Sequence, residues 1–484
     1  MSGEAAARSA PARMTDGPIA GTLLALFLPI LLSNLLQALS GSINAMWVGH
    51  ALGEAALAAT ANGSAVIAFV VSVVMGIGMA ASILIGQRLG AQDLAQAKRI
   101  VGTGATFFVG LAVLIALAGV VLTGPIVARM QTPPAVQPLA VAYLRVLFLA
   151  MPFQTATLFL TILLRSTGDS KTPFRFQSVS VALDVTLNPL LIAGWGPVPA
   201  LGIAGSATAT LLAQAIGLTL LARRLHRTRH ILCLRADEAH LLRPDPRILK
   251  ALAVKGLPMG LHMAVVSLAM VMMISLVNHF GAQLSAAYGA CLQLWNYIQL
   301  PVMAMGMAVT PMAAQNLGAR RLDRVRRIAR TGIALNIAMA GGMVLVIQCF
   351  SRAVLGLFLP AEPQTLQAAQ HINAMVAWAF IPVGVTFVLG SIIRASGTAV
   401  PPLVILFLAL WGIRQPAAVL LMGTWGADAL WFSFGLGAVS SMLMSLAYYR
   451  WAGWRAAFMP LVASASPADR AVDQLREDQG TARC

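Results

Sequence analysis

Charge is what this sequence lacks. Asp and Glu number 16 in 484 residues, and charged residues of both signs make up 10% of the chain against 58% hydrophobic. A soluble domain is about one quarter charged, and a water-facing surface needs more polar residues than these. A soluble globular class is therefore excluded. Disorder is excluded too, because it requires low hydrophobicity. Cysteine is also scarce. Cys233, Cys291, Cys349 and Cys484 show no metal-ligand or redox spacing, so no disulfide framework is implied. The sequence has no His/Cys metal cluster, nucleophile triad or paired mid-span carboxylates, and enzyme chemistry has no starting point in it. The formal net charge of +17 raises the question of nucleic acid, and the placement of the positives answers it.

Charges fall in short clusters between long uncharged stretches. None lies between Asp16 and Glu54, between Glu54 and Arg88, or between Lys255 and Arg320. A helix crossing hydrocarbon needs about 20 apolar residues, so the last stretch holds two spans with a turn near His279–Gly281. The whole chain reads as twelve spans, at 20–48, 57–86, 101–127, 144–164, 175–194, 201–222, 256–278, 285–314, 331–350, 371–393, 402–423 and 429–449. The fold class is all-α: a polytopic membrane protein of two six-helix lobes. Residues 1–17 form an amino-terminal arm, 18–222 one lobe, 223–250 a linker, 251–450 the second lobe and 451–484 a cytoplasmic tail, of which 462–484 has a disordered composition.

With both termini and the loops after even-numbered spans on one side, that side holds 29 of the 33 Lys and Arg residues. Arg129, Arg145 and Arg352 lie opposite, and Arg414 lies inside span 11. The positive-inside rule makes the basic side cytoplasmic. The first apolar segment is too long for a signal peptide and reads as a retained anchor, so the chain is expected to stay in the membrane. The positive excess is a topology signal, and nucleic acid is not an expected partner.

The two halves repeat one another. Gln87-Arg88-Leu89-Gly90-Ala91 returns as Gln315-Asn316-Leu317-Gly318-Ala319, and the 18-residue blocks starting there agree at 9 positions. Leu28-Pro29 returns as Leu257-Pro258, Arg165-Ser166-Thr167-Gly168 as Arg394-Ala395-Ser396-Gly397, and Asn188-Pro189 has an echo in Gln415-Pro416. Six spans per half make the repeats parallel, about an axis along the membrane normal. Transporters are commonly built this way, with a substrate site between the halves.

Of the acidic residues only Asp184 sits in mid-span. A charge at the bilayer centre costs about 2.5–3.5 kcal/mol on insertion scales and marks a functional candidate. Burial favours the neutral form of a carboxyl, so Asp184 reads as a proton or cation site. Ser180, Asp184 and Asn188 share a helical face at i, i+4 and i+8, and Pro189 then frees a backbone carbonyl. The alternative is a hydrogen-bonded Asp joining helices. Span 1 carries a polar stripe of Asn34, Gln37, Gly41 and Asn44, read equally as inward-facing or as interhelical bonding. His262 in span 7 offers a group that titrates near neutrality or a bonded core imidazole. Gln293, Asn296 and Gln299 in span 8 are candidates for the cavity wall, as is Arg414, which snorkels or pairs with a carboxylate such as Asp184. Twenty-three methionines suit an adaptable apolar cavity.

These residues resemble a family. Ala45-Met46-Trp47-Val48-Gly49, Gln87-Arg88-Leu89-Gly90-Ala91, Arg165 through Pro173, Asp184 through Ile192 and Gly202 through Ala207 are similar to the MATE (multidrug and toxic compound extrusion) transporters. The Gly168-Asp169-Ser170-Lys171-Thr172-Pro173 loop is closest to their DNA-damage-inducible branch. The resemblance implies a V-shaped pair of lobes and no cofactor. It implies export of organic cations and amphipathic drugs in exchange for H⁺ or Na⁺, by a monomer whose partners are a small-molecule substrate and the bilayer. In that branch a span 1 Asp with a span 5 Asn and Asp forms the cation site. Here the span 1 position holds Asn44, and span 5 reads Asp184 then Asn188. The resemblance thus implies a coupling-ion site of Asp184, Asn188, Asn44, Gln37 and Ser180, and a cavity with His262, Gln293, Asn296 and Arg414. Two rival readings stand beside it. A lipid-linked oligosaccharide flippase of the same superfamily would show a more cationic cavity, where Arg414 reads as the sole mid-span cation. A membrane-embedded enzyme would need a catalytic constellation that is not visible. The charge pattern predicts that a fluorescent protein fused after Cys484 matures and glows in the cytoplasm, while alkaline phosphatase at the same point stays inactive. An active phosphatase would invert the topology.

Overall fold

The structure, a computed structural model, describes residues 14–451 apart from 131, 195–198, 235 and 360–362. The tail, with Cys484, and the arm's Arg8 and Arg13 lie outside the described residues.

Among the described residues, 12 helices are long and apolar enough to cross a membrane. They are α1 (Ile19–Leu52), α2 (Glu54–Gly90), α3 (Leu94–Arg129), α4 (Gln137–Ser166), α5 (Lys171–Ala193), α6 (Ile203–Arg227), α7 (Pro246–Asn278), α8 (Ala282–Gly318), α9 (Leu322–Cys349), α10 (Pro363–Ala395), α11 (Val400–Trp425) and α12 (Asp428–Trp451). Each predicted span has its helix, and most helices run past the apolar segment into the basic loops. Few donors are available inside an apolar span, so hydroxyls are satisfied locally. Ser33 donates to the Pro29 carbonyl at 2.8 Å, Thr123 to Gly119 at 2.5 Å and Ser166 to Ile162 at 2.8 Å, the i−4 bonding open to Ser and Thr in helices.

Two helices are irregular where uninterrupted spans are expected. α10 passes through a 3₁₀ turn at Ala377–Ala379, and α11 widens to a π-helix over Leu408–Arg414. Pro416 explains the second. Its ring cannot donate to Gly412 and crowds that carbonyl, and the wider turn lets the Gln415 amide donate to Leu410 instead.

The cores show how the halves join. Toward the end bearing the basic loops, the apolar clusters are built across the repeat. Leu23, Leu26, Phe27 and Ile30 of α1 pack with Met305, Met312 and Leu317 of α8 and Ile392 of α10. Reciprocally, Leu252 and Met259 of α7 pack with Ile77 and Leu84 of α2. Toward the other end each cluster belongs to one half: Val48, Tyr143, Phe148 and Ile203 in the first, and Met273, Trp295, Ile372 and Trp431 in the second. The lobes are thus fused at the basic end and separate away from it.

The repeated motifs lock that end. Gly168 and Gly397 adopt left-handed φ of 94° and 95°, which favour glycine and terminate α4 and α10. The Gly168 and Asp169 amides satisfy the Arg165 and Leu164 carbonyls, the Schellman pattern, and leave the Ser166 carbonyl free. Gln315 donates to it from α8 at 2.7 Å, and Gln87 donates from α2 to the Ala395 carbonyl at 2.7 Å. Each glutamine motif clasps the Arg-containing motif of the opposite half. Gly90 lies directly on the Gln315 backbone and Gly318 on that of Gln87, with no room for a Cβ at either. The basic 8–9 loop also holds the arm: Arg321 pairs with Asp16 at 2.7 Å, and Asn316 donates to the Met14 carbonyl at 3.0 Å.

Gly90→Val and Gly318→Val are each expected to destabilise the purified protein by about 1–3 kcal/mol through overpacking. A lowered thermal midpoint in detergent is the readout. Gly110→Val, with nothing within 4 Å of its Cβ position, serves as control, and equal midpoints for all three would refute the clasp.

Candidate functional site

Three helices of the first lobe each present a polar pair one turn apart: Ser40 and Asn44 on α1, Asp184 and Asn188 on α5, Ser206 and Thr210 on α6. Spacing of i, i+4 puts each pair on one face. Because α6 runs opposite to the other two, its pair meets theirs in reverse order and two rungs form. In the rung nearer the basic end, the Asp184 carboxylate accepts from Thr210 at 2.9 Å and from Ser40 at 3.1 Å. In the next, the Asn44 side-chain oxygen accepts from Asn188 at 3.1 Å and from Ser206 at 2.7 Å. Tyr143 of α4 is buried beside the rungs, its hydroxyl approaching Asn44 and Ser64. Close helix packing makes this possible: Gly205 of α6 rests on the Leu191 carbonyl of α5, where a Cβ would collide.

Asp184 is partly buried, takes part in none of the ion pairs among the described residues, and is held by neutral hydroxyls alone. The Asn188 side-chain oxygen is buried without a donor. One carboxylate with amide and hydroxyl oxygens can take up a proton, or ligate a small hard cation through oxygen. Asn44, Asp184 and Asn188 are brought together as the sequence suggests. Ser180 and Gln37 sit apart: Ser180 donates to its own helix at Phe176, 3.1 Å away, under Gly217, and Gln37 is exposed on α1. Ser40, Ser206 and Thr210 were not among the expected ligands. Their signal was the shared i, i+4 spacing, which matters only once three helices are known to be neighbours.

Two cavities complete the site. One, of about 210 Å³, lies between the lobes; the other, of about 220 Å³, lies inside the second lobe. His262, Phe387, Arg394 and Pro402 border both. Asn296, Gln299 and Arg414 line the second, whereas Gln293 is exposed and lines neither. Arg414 does not meet Asp184. Its guanidinium carbon stands 3.4 Å from the Phe434 ring centroid, a cation–π geometry, delivered by the π-helical segment. Arg414 is the mid-span cation of the sequence, but it is not alone at the cavities. Arg165 and Arg394, expected as loop charges, line the inter-lobe cavity. Helical side chains lean toward the N-terminus, so an arginine in the last turn of α4 or α10 reaches back into the bundle. Six methionines (Met75, Met79, Met259, Met263, Met303 and Met307) share that lining, and among the described residues no Asp or Glu lines either cavity.

Comparison with known proteins agrees with this architecture. The MatE family model matches twice, over residues 29–190 and 258–420, once in each lobe. The probable multidrug resistance protein YoeA of Bacillus subtilis is 37% identical over 430 residues, spanning 88% of this chain and 93% of that protein. YpnP of the same organism, also a probable multidrug resistance protein, is 31% identical over 91% of this chain and 97% of its own length. Among solved structures, an outward-facing multidrug resistance MATE family transporter superposes with a TM-score of 0.82 at 20% identity, covering 91% of this chain and 97% of that one; at that identity the likeness speaks for the fold. The duplicated twelve-helix bundle, the family model in both halves and relatives along nearly the whole length lead to one assignment: the chain belongs to the MATE family, multi-pass membrane transporters of multidrug efflux and not enzymes.

Proposed function

We propose that the chain is a secondary active antiporter that exports small amphipathic molecules in exchange for H⁺ or Na⁺, with Asp184 as the coupling-ion site. The observation that carries this is the isolated carboxylate: one acid at membrane depth, held by Ser40 and Thr210, with the unpartnered oxygen of Asn188 one turn away. A carboxylate with no fixed cationic partner is free to exchange one. The basic end is taken as cytoplasmic. The lobes are then closed toward the cytoplasm by the glutamine clasp, and ion entry from outside would alternate with reopening of that clasp. Asn44 and Asn188 supply neutral ligands, and Ser206 holds Asn44 in place.

A lipid-linked oligosaccharide flippase is the second reading, and Arg165, Arg394 and Arg414 at the cavities are the observation that favours it. Imposed gradients separate the two, since Asp184 coupling demands that an inward H⁺ or Na⁺ gradient drive export. In proteoliposomes loaded with a drug panel, Asp184→Asn is expected to abolish gradient-driven efflux while the protein still inserts. Undiminished efflux in that variant would sink the coupling assignment. Thr210→Val, which removes one hydrogen bond to a charged group, is expected to slow efflux roughly tenfold. Ser180→Ala, outside the rungs, is expected to stay near the wild-type rate in the same assay.

A further inference from the structure

We infer that the inter-lobe cavity binds an amphipathic organic anion: a single carboxylate, sulfonate or phosphate headgroup on an apolar body, held between Arg165 and Arg394. The inference rests on the export reading of the same cavities and adds the sign of the cargo, where organic cations are the expectation from family resemblance.

Three observations carry it. First, Arg165, Arg394 and Arg414 each bury their side-chain Nε without a partner, and none belongs to an ion pair among the described residues. A buried charge is costly unless paired. The repeat supplies two of these cations at matching positions, one from the end of α4 and one from the end of α10, facing the same space from opposite lobes. Arg394 donates to Ser391 at 3.0 Å, and Ser72 and Ser82 share the lining. Second, among the described residues no carboxylate lines either cavity. Asp184, the mid-span acid, is already held by hydroxyls of α1 and α6 and lines neither cavity. An organic cation entering here meets like charge in a medium of low dielectric, whereas an oxyanion meets planar guanidinium forks shaped for it. Third, the rest of the wall is apolar and adaptable, with six methionines in the inter-lobe cavity and the Phe434 and Trp295 rings in the adjoining one. That lining fits a hydrophobic body and gives a bare inorganic anion nothing in return for its hydration shell. Both a soluble exported compound and an anionic membrane lipid carry this chemistry.

The test is equilibrium binding to the full-length protein in zwitterionic lipid nanodiscs, with no ion gradient. Two pyrene probes share the same ring and butyl chain, one ending in carboxylate and the other in trimethylammonium. The carboxylate probe is expected to bind about tenfold more tightly or better, and Arg165→Gln with Arg394→Gln is expected to remove the difference. Arg165→Lys with Arg394→Lys keeps both charges and is expected to retain most of it, which separates loss of charge from misfolding. Equal affinities for the two probes, or tighter binding of the cation, would overturn the inference. Repeating the titration with phosphatidylglycerol in the nanodisc identifies the source: competition assigns the site to a lipid headgroup, and unchanged affinity assigns it to a soluble anion. Because no gradient is applied, anion-selective binding without ion-driven transport would defeat the antiport reading and leave this one standing. Gradient-driven transport without anion preference would do the reverse.

Discussion

A polar group in hydrocarbon has no water to fall back on, so each one must find a partner in the protein or be used. This constraint organises the whole molecule. It makes the spans nearly free of charge and sends their serines and threonines back to carbonyls in their own helices. It also forces the few remaining polar side chains into contact across helices. The Gln87 and Gln315 amides close the basic end because the glycine-terminated helices opposite them each leave a carbonyl open. Groups that the constraint leaves unsatisfied, such as the Asn188 oxygen and the arginine nitrogens, are where function is to be sought.

The two lobes share a plan and differ in chemistry. In the first, α5 meets α1 through Asn188 and Asn44, with Asp184 one turn below. In the second, the matching α11 meets α7 through Gln415, which donates to the Ala269 carbonyl at 2.8 Å, and Trp411, which donates to Val265 at 3.4 Å. The second lobe therefore binds its helices with neutral bonds where the first keeps a carboxylate, and it places Arg414 at a cavity of its own. The duplication supplied the frame, and the two lobes fill it with side chains of different charge. The clasp lies between them, where each motif of one half ends on the other.

Much of this was legible in the residues. Twelve spans, their pairing into halves and the single mid-span acid follow from charge spacing, and the helices bear out the spans. Asp184 and Asn188 were readable together because polar residues at helical spacing are rare in apolar segments, and the family resemblance joined Asn44 to them. Ser40, Ser206 and Thr210 were not, since small hydroxyl residues occur throughout the spans and most of them only back-bond to their own helix. Gln37 was a fair expectation by periodicity, yet it is exposed and joins neither rung. The repeated glutamine and arginine motifs were visible as repeats, but nothing in their order says that each reaches across to the other's partner.

The sequence by itself determined the class of the molecule, its span count, its duplication and the candidate acid. These depend on the cost of moving charge out of water, which is paid locally, residue by residue. Tertiary structure decided which helices are neighbours, and so which hydroxyls hold Asp184. It also decided that Arg165 and Arg394, counted as loop charges along the chain, turn back to line the cavity between the lobes. A side chain's direction and its neighbours come from packing between segments far apart in sequence, and spacing along one helix carries no record of them.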